Sequence, residues 1–299
     1  MSNEVFILLV LCTSALAGLV GSLTGLGGGI ILTPILVLGF GIDLRYAVGA
    51  SLIAVIATSS GSAAAYVRDG FTNLRLAMVL EVATVFGAVA GALLAARVPT
   101  GMIALIFGVV MLWTAWNSST KREKGSQAAA EADSTHGPHA PATLETRLRL
   151  HSTEPTPTGP KSYLVSRLPL GFIIMFGAGV LSAMVGIGSG IVKVLAMDKL
   201  MRLPFKVSTT TSNFMIGVTA AASVGIYLHR GQLEPGLVAP VAIGAMCGSF
   251  LGAKLLPRIK VSTLRVVFAI IVGVAGVQMI FKGASMVGLL GKNLGGAMP

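Results

Sequence analysis

Gly25-Leu26-Gly27-Gly28-Gly29 breaks an apolar run near the start of the chain, and Gly186-Ile187-Gly188-Ser189-Gly190 breaks a second apolar run in the other half. Irregular backbone at membrane depth needs a reason, because each unpaired N–H or C=O in lipid costs several kcal/mol unless protein or trapped water satisfies it. Two glycine-broken segments at matching places in two halves are the pattern expected of a binding site between repeats. A shift of 161 residues places Gly18 on Gly179, Gly25 on Gly186, Gly27 on Gly188, Gly29 on Gly190, Ser51 on Ser212, Tyr66 on Tyr227, Gly70 on Gly231, Gly87 on Gly248 and Gly91 on Gly252. One offset holding without gaps over some seventy residues reads as an internal duplication.

The surroundings of the two breaks are those of a membrane protein. Of 299 residues, 54% are hydrophobic and 11% charged, with 38 glycines, and the mean hydropathy is +0.85. A soluble surface needs far more charge, and several apolar runs reach the roughly 20 residues that cross a bilayer core. The composition implies an all-α polytopic membrane protein, and its expected location is the cytoplasmic membrane. Val5 to Leu23 lacks the positive start of a cleaved secretory signal, since Glu4 is the only charge before Asp43. The net charge of +11 sits in short loops between apolar segments, where membrane orientation accounts for it and nucleic acid is not implied. Cys12 and Cys247 lie inside apolar segments without metal-ligand spacing.

Along the chain, Val5–Leu23, the glycine break and a short run over 30–40 lead to full-length segments at Tyr46–Val67, Leu76–Ala96 and Gly101–Asn117. The short run gives roughly 16 Å of helix, too little to span alone, so it reads as a re-entrant arm, with Pro34 marking a further irregularity. Residues 118–162 turn polar and rich in Pro, Thr, Ser, Gly and His, the composition of a solvated, flexible, cytoplasmic linker, with a short interfacial helix over Thr143–His151. His136, His139 and His151 lack the spacing of a metal site. From 163 the first half is repeated, so the expected organisation is a first transmembrane repeat (1–117), the linker (118–162) and a second repeat (163–299).

Loop charge decides whether each glycine break crosses the membrane or folds back. With the linker inside, folded-back hairpins put Arg68, Arg75, Lys199, Arg202, Lys206, Lys254, Arg258, Lys260 and Arg265 inside, and Arg45, Arg97, Arg230, Lys282 and Lys292 outside. Straight crossings reverse that ratio. The excess of Lys and Arg on the cytoplasmic side therefore favours hairpins and two inverted repeats, each a glycine-broken re-entrant segment followed by three transmembrane helices.

Inverted repeats would bring both glycine loops to the bilayer midplane, where backbone and helix N-termini favour an anion. The expected substrate-binding residues are Gly25, Gly27, Gly28, Gly29, Gly186, Gly188, Ser189 and Gly190. Ser51, Ser212 and Asn213 join them from the polar clusters in register with the loops. Lys193 faces Leu32 in the repeat alignment; an ionisable group in the membrane is functional by default, so it is expected to meet the anion. Glu81 is the proton-coupling candidate, with pairing to Arg75 or a loop arginine as its structural alternative. No Ser/His/Asp set, H-E-x-x-H or Walker loop is present, so no catalytic residue, metal or cofactor is expected.

These residues resemble the TauE/SafE sulfite exporter family of membrane transporters. The likeness rests on Gly25 to Ile30 with Pro34, on Ala47-Val48-Gly49-Ala50-Ser51, and in the second half on Thr211 to Ala220, Tyr227-Leu228, Gly231 and Gly244, Gly248 and Gly252. It spans nearly the whole chain except the linker. The resemblance implies ion-gradient-coupled export, or in some members uptake, of a small sulfur-containing or organic anion such as sulfite, a sulfonate or sulfoacetate. The alternative is an anion channel with a passive pore between the repeats. The expected partners are that anion and the lipid bilayer, for a monomer or a homo-oligomer.

Overall fold

The computed structural model describes residues 3–24, 27–68, 70, 72–119, 144–148, 150, 152–156, 159–255 and 261–288. The membrane part is helical. Helix α1 (Asn3–Thr24) is followed by the glycine break, by α2 (Gly29–Pro34) running into a π-helical turn at Ile35–Gly39, and by α3 (Leu44–Arg68), α4 (Leu74–Arg97) and α5 (Thr100–Ser119). A short helix α6 (Leu144–Arg147) and strands β1 (Ser152–Thr156) and β2 (Gly159–Tyr163) lead to α7 (Leu168–Val185). Then come α8 (Gly190–Leu195) with a π-helical turn at Ala196–Leu200, α9 (Phe205–His229), α10 (Pro235–Leu255) and α11 (Val261–Met286). Among the described residues, seven helices are long and apolar enough to cross a membrane. Phe86, Ile173, Val109 and Phe281 stand exposed on the outer faces, as side chains meeting lipid do.

The break after α1 folds back. A Cβ on Gly21 would meet the backbone of Gly28, and the Phe6 ring, near the start of α1, stands edge-on to Phe40, just past the π turn, with centroids 5.6 Å apart. The short arm therefore returns beside α1 instead of continuing across. The second copy does the same: Met201 packs on Gly171, and its carbonyl accepts from the Ser166 N–H at 3.3 Å. Pro34 lacks the N–H that would complete an α turn, and the π turn starts immediately after it. Leu195 precedes an equivalent turn without a proline, so the imino acid is not the sole cause.

Small residues let the helices meet at backbone distance, the usual device where lipid removes a hydrophobic drive for association. On α1 and α10, Gly248 lies against Ala15 and Gly252 against Leu19; on α7 and α4, Gly87 lies against Phe176 and Gly91 against Val180. Each contact of the first seam becomes one of the second when its two members shift by 161 in opposite directions. Helices α5 and α11 run antiparallel, with Gly101 beside Met286, Gly108 beside Ile280 and Gly273 beside Ala115. Helices α3 and α9 also cross antiparallel: Asn213 meets Ser62, and Gly217 meets Ser59.

The second half of the expected solvated linker is instead built onto the bundle. Strands β1 and β2 form an antiparallel hairpin with Ser152 opposite Tyr163. Leu150 and Tyr163 are buried in a cluster with Leu76, Leu80, Met197 and Met201. Asn73 holds the attachment: its Nδ2 donates to the Leu150 carbonyl at 2.9 Å and to the Tyr163 hydroxyl at 3.0 Å, while its Oδ1 accepts from Leu76 N–H at 3.0 Å and caps α4. Glu145 Oε1 accepts from the Leu168 N–H at the start of α7. Composition hid this docking because the buried residues are few and separated by Thr and Pro. The expected interfacial helix shortens to one turn, with His151 outside the described residues. So are His136 and His139.

Candidate functional site: two hairpin tips and a hydroxyl-bridged lysine and glutamate

The tips of the two hairpins meet at the centre of the bundle. Gly27 and Gly188 take φ of 79° and 78°, the left-handed region open to glycine. A Cβ on Gly27 would stand 3.5 Å from both Val55 Cγ2 and Ile216 Cγ2, and one on Gly188 would stand 3.1 Å from Val55 Cγ1. Val55 and Ile216 are 161 residues apart, each at the middle of a 25-residue helix. Both breaks thus rest at mid-helix depth. The two tips also touch directly, since a Cβ on Gly29 would meet the Gly186 carbonyl, and Gly186 itself lies against the Val48 carbonyl. Gly28 and Gly190 are buried beside them; Gly25 lies outside the described residues. Ser189 adopts φ 48°, and its buried hydroxyl has no hydrogen-bond partner. No side chain caps α2 or α8.

Ser51 and Ser212 hold these hairpins to the following helices. Thr33 Oγ1 donates to Ser51 Oγ at 2.7 Å, and Ser212 Oγ donates to the Gly190 carbonyl at 3.2 Å. Their hydroxyls are thus engaged within the protein, which makes clamping their visible role. Asn213 lies on the crossing of α9 with α3, where its Nδ2 donates to Ser62 Oγ at 2.6 Å and its carbonyl accepts from Ser59 Oγ at 2.5 Å. Its Oδ1 is buried without a partner.

Lys193 is fully buried and Glu81 is 7% exposed. They come from α8 and α4, and Thr219 of α9 stands between them. Lys193 Nζ donates to Thr219 Oγ1 at 2.5 Å and to the Met215 carbonyl at 3.4 Å, and Thr219 Oγ1 donates to Glu81 Oε1 at 2.7 Å. The ammonium and carboxylate attract one another across this hydroxyl. Glu81 Oε2 is buried and unpartnered. Pairing with Arg75 or a loop arginine is therefore not the arrangement Glu81 adopts. Ionisable side chains inside a membrane domain are rare and costly, which makes this couple the candidate for substrate or ion chemistry.

Thr219 escaped the sequence reading as a site residue, because one threonine in an apolar helix usually bonds its own helix. That alternative acceptor is at hand here too, the Met215 carbonyl at 2.8 Å. Tyr227 marks the repeat and the family resemblance in the sequence, and the structure adds a bond: its buried hydroxyl donates to the Ala183 carbonyl at 2.7 Å, tying α9 to the end of α7.

Comparison with known proteins finds membrane transporters. The chain is 26% identical over 285 residues to the probable membrane transporter protein YunE of Bacillus subtilis (strain 168), covering 93% of this chain and 98% of that one. It is 22% identical over 275 residues to the probable membrane transporter protein YdhB of the same organism, covering 92% and 100%. No solved structure matches it significantly. Residues 10–279 match the family described as sulfite exporter TauE/SafE, and the chain, a multi-pass membrane protein, belongs to that family of transporters.

Proposed function

We propose that this protein is a secondary carrier that moves a small sulfur-containing or organic anion (sulfite, a sulfonate or a sulfoacetate-like compound) across the cytoplasmic membrane by alternating access, chiefly as an exporter and coupled to an ion gradient. The observation that carries the reading is the meeting of the two hairpin tips at Val55 and Ile216. Two breaks that return to the side they entered from leave three crossings in each half, an odd number, so the halves point in opposite directions. The antiparallel pairing of α5 with α11 and of α3 with α9 fits a two-fold axis lying across the helices. Inverted halves around a central site are the architecture in which one half rocks against the other.

In this reading the anion binds between the loops at Gly27, Gly28, Gly29, Gly186, Gly188, Ser189 and Gly190, with Lys193 one turn further on as its counter-charge. Ser51 and Ser212 hold the hairpins to α3 and α9, Asn213 joins α9 to α3 beside them, and Glu81 carries the coupling proton. The test is flux of labelled sulfite, taurine or sulfoacetate into proteoliposomes with and without a proton gradient. Saturation and counterflow are expected; flux that neither saturates nor exchanges would make the protein a channel.

A further inference from the structure

The Lys193–Thr219–Glu81 unit occurs once, whereas the fold around it occurs twice. At the aligned positions the other half carries Leu32, Thr58 and Ala242. Thr58 keeps its hydroxyl on its own helix, donating to the Ala54 carbonyl at 2.6 Å. Thr219 is its counterpart with a charge on either side. Helix α4 packs against α7 and α9, and α7 contains no ionisable side chain. Among the described residues, the groups facing the Glu81 carboxyl are the Lys193 ammonium from α8, the Thr219 hydroxyl from α9 and the Thr84 hydroxyl from its own helix.

As the unit stands, its charges sum to zero. Adding a monoanion beside Lys193 would leave one uncompensated negative charge in a buried site, the condition a low-dielectric interior penalises most. Protonating Glu81 removes it. The incoming proton has a place in Glu81 Oε2, the oxygen without a partner. Thr219 has a second acceptor for its single hydrogen in the Met215 carbonyl, already 2.8 Å away. Lys193 keeps its bond to Thr219 Oγ1 throughout and exchanges one counter-charge for another.

We infer that Glu81 and the transported anion alternate as the counter-charge of Lys193, so that one proton enters Glu81 for each anion bound and both leave on the same side. This rests on the carrier reading above and adds its stoichiometry: symport of one proton with one anion, electroneutral for a monoanion. Export then requires a cytoplasmic excess of anion larger than the proton gradient opposing it.

The test uses the full chain in proteoliposomes containing a trapped pH dye, with the potential clamped by potassium and valinomycin. The probes are methanesulfonate and isethionate, monoanions of strong acids that carry no proton themselves. The wild type is expected to take up about one proton per anion at a rate indifferent to the clamped potential. In Glu81→Gln the count should fall to none per anion in whatever flux remains. Saturable anion flux in the wild type without proton movement, or flux that follows the potential, overturns the symport while leaving the carrier intact. An unchanged proton count in Glu81→Gln removes Glu81 from the coupling. Absence of saturable flux for both anions overturns the coupling as stated for a monoanion; the carrier reading falls only if sulfite, taurine and sulfoacetate also fail to saturate. If Glu81→Gln fails to fold, the wild-type count alone decides.

Discussion

Gly29 and Gly186 meet backbone to backbone, one from each hairpin tip, with no room between them for a side chain. A Cβ on Gly29 would strike the Gly186 carbonyl and stand 2.8 Å from Val55 Cγ2. The two broken segments are thus one structural unit, and a change in either loop is felt by the other.

Gly29→Ala should therefore damage far more than its single methyl suggests. Overpacking of a tight interior costs about 1–3 kcal/mol, and here the yielding group is backbone at the proposed binding site. A lower melting temperature in detergent and nearly complete loss of anion flux are expected. Gly177→Ala supplies the control, because nothing lies within 4 Å of a Cβ there; its flux and melting temperature should stay at or slightly above wild type.

The two glycine seams make a paired prediction. Gly87→Ala would push a methyl into the Phe176 carbonyl, and Gly248→Ala would push one into the Ala15 carbonyl, contacts related by the 161-residue shift. Both variants should destabilise the fold by similar amounts, about 1–3 kcal/mol each, read as similar drops in melting temperature. A loss confined to one seam would show that the two halves are not packed equivalently.

Tyr163 predicts a pH dependence for the docked segment, which lies outside the membrane spans. Burial raises its hydroxyl above the ordinary tyrosine value, against weaker lowering by hydrogen bonds to Ser152 and Asn73. A raised folded-state value means that the neutral phenol is the docked form. Its contribution is complete below the undocked value of about 10 and is lost as pH rises above it. Limited proteolysis between 144 and 163 should accelerate above about pH 10 in the wild type. In Tyr163→Phe that extra acceleration should disappear, at the cost of somewhat faster cleavage at neutral pH.

Much of the fold was legible in the chain because it is written in spacing. The glycine breaks, their 161-residue repeat and the short arms after them announced the hairpins, and loop charge pointed to folding back. The site was legible only in parts. Lys193 and Glu81 drew notice as charges in apolar segments, yet nothing local to either shows that they face each other, since α8 and α4 are brought together by α9. Thr219 lies in the family-like stretch Thr211 to Ala220, but nothing there marks it as a bridge, because a helix can satisfy a lone hydroxyl by itself. Ser51 and Ser212 were noticed for their register with the loops, but their bonds to Thr33 and Gly190 give them a clamping role that spacing cannot reveal. The docking of 144–163 was illegible because Leu150 and Tyr163 find apolar partners on α4 and at Met197 and Met201, in and just past the second π turn, more than thirty residues away in the chain.

Lys193 and Glu81 can be separated into stability and binding by a mutant cycle. Removing one member of a buried pair leaves the other uncompensated, at about 3–5 kcal/mol, whereas replacing both with apolar residues of similar size is often neutral or better. Lys193→Met and Glu81→Leu should each lower the melting temperature, and the double variant should recover most of the loss. Binding should behave differently. A cation that meets the anion cannot be replaced by removing its internal partner, so Lys193→Met, Lys193→Ala and the double variant should all weaken anion binding, even where the double variant is as stable as wild type. Calorimetric titration of a confirmed substrate, alongside melting curves of the same samples, separates the two effects. Recovered stability with affinity still lost assigns Lys193 to the substrate. Affinity that returns with stability makes the pair an internal strut, and anion selectivity then falls to the glycine loops alone.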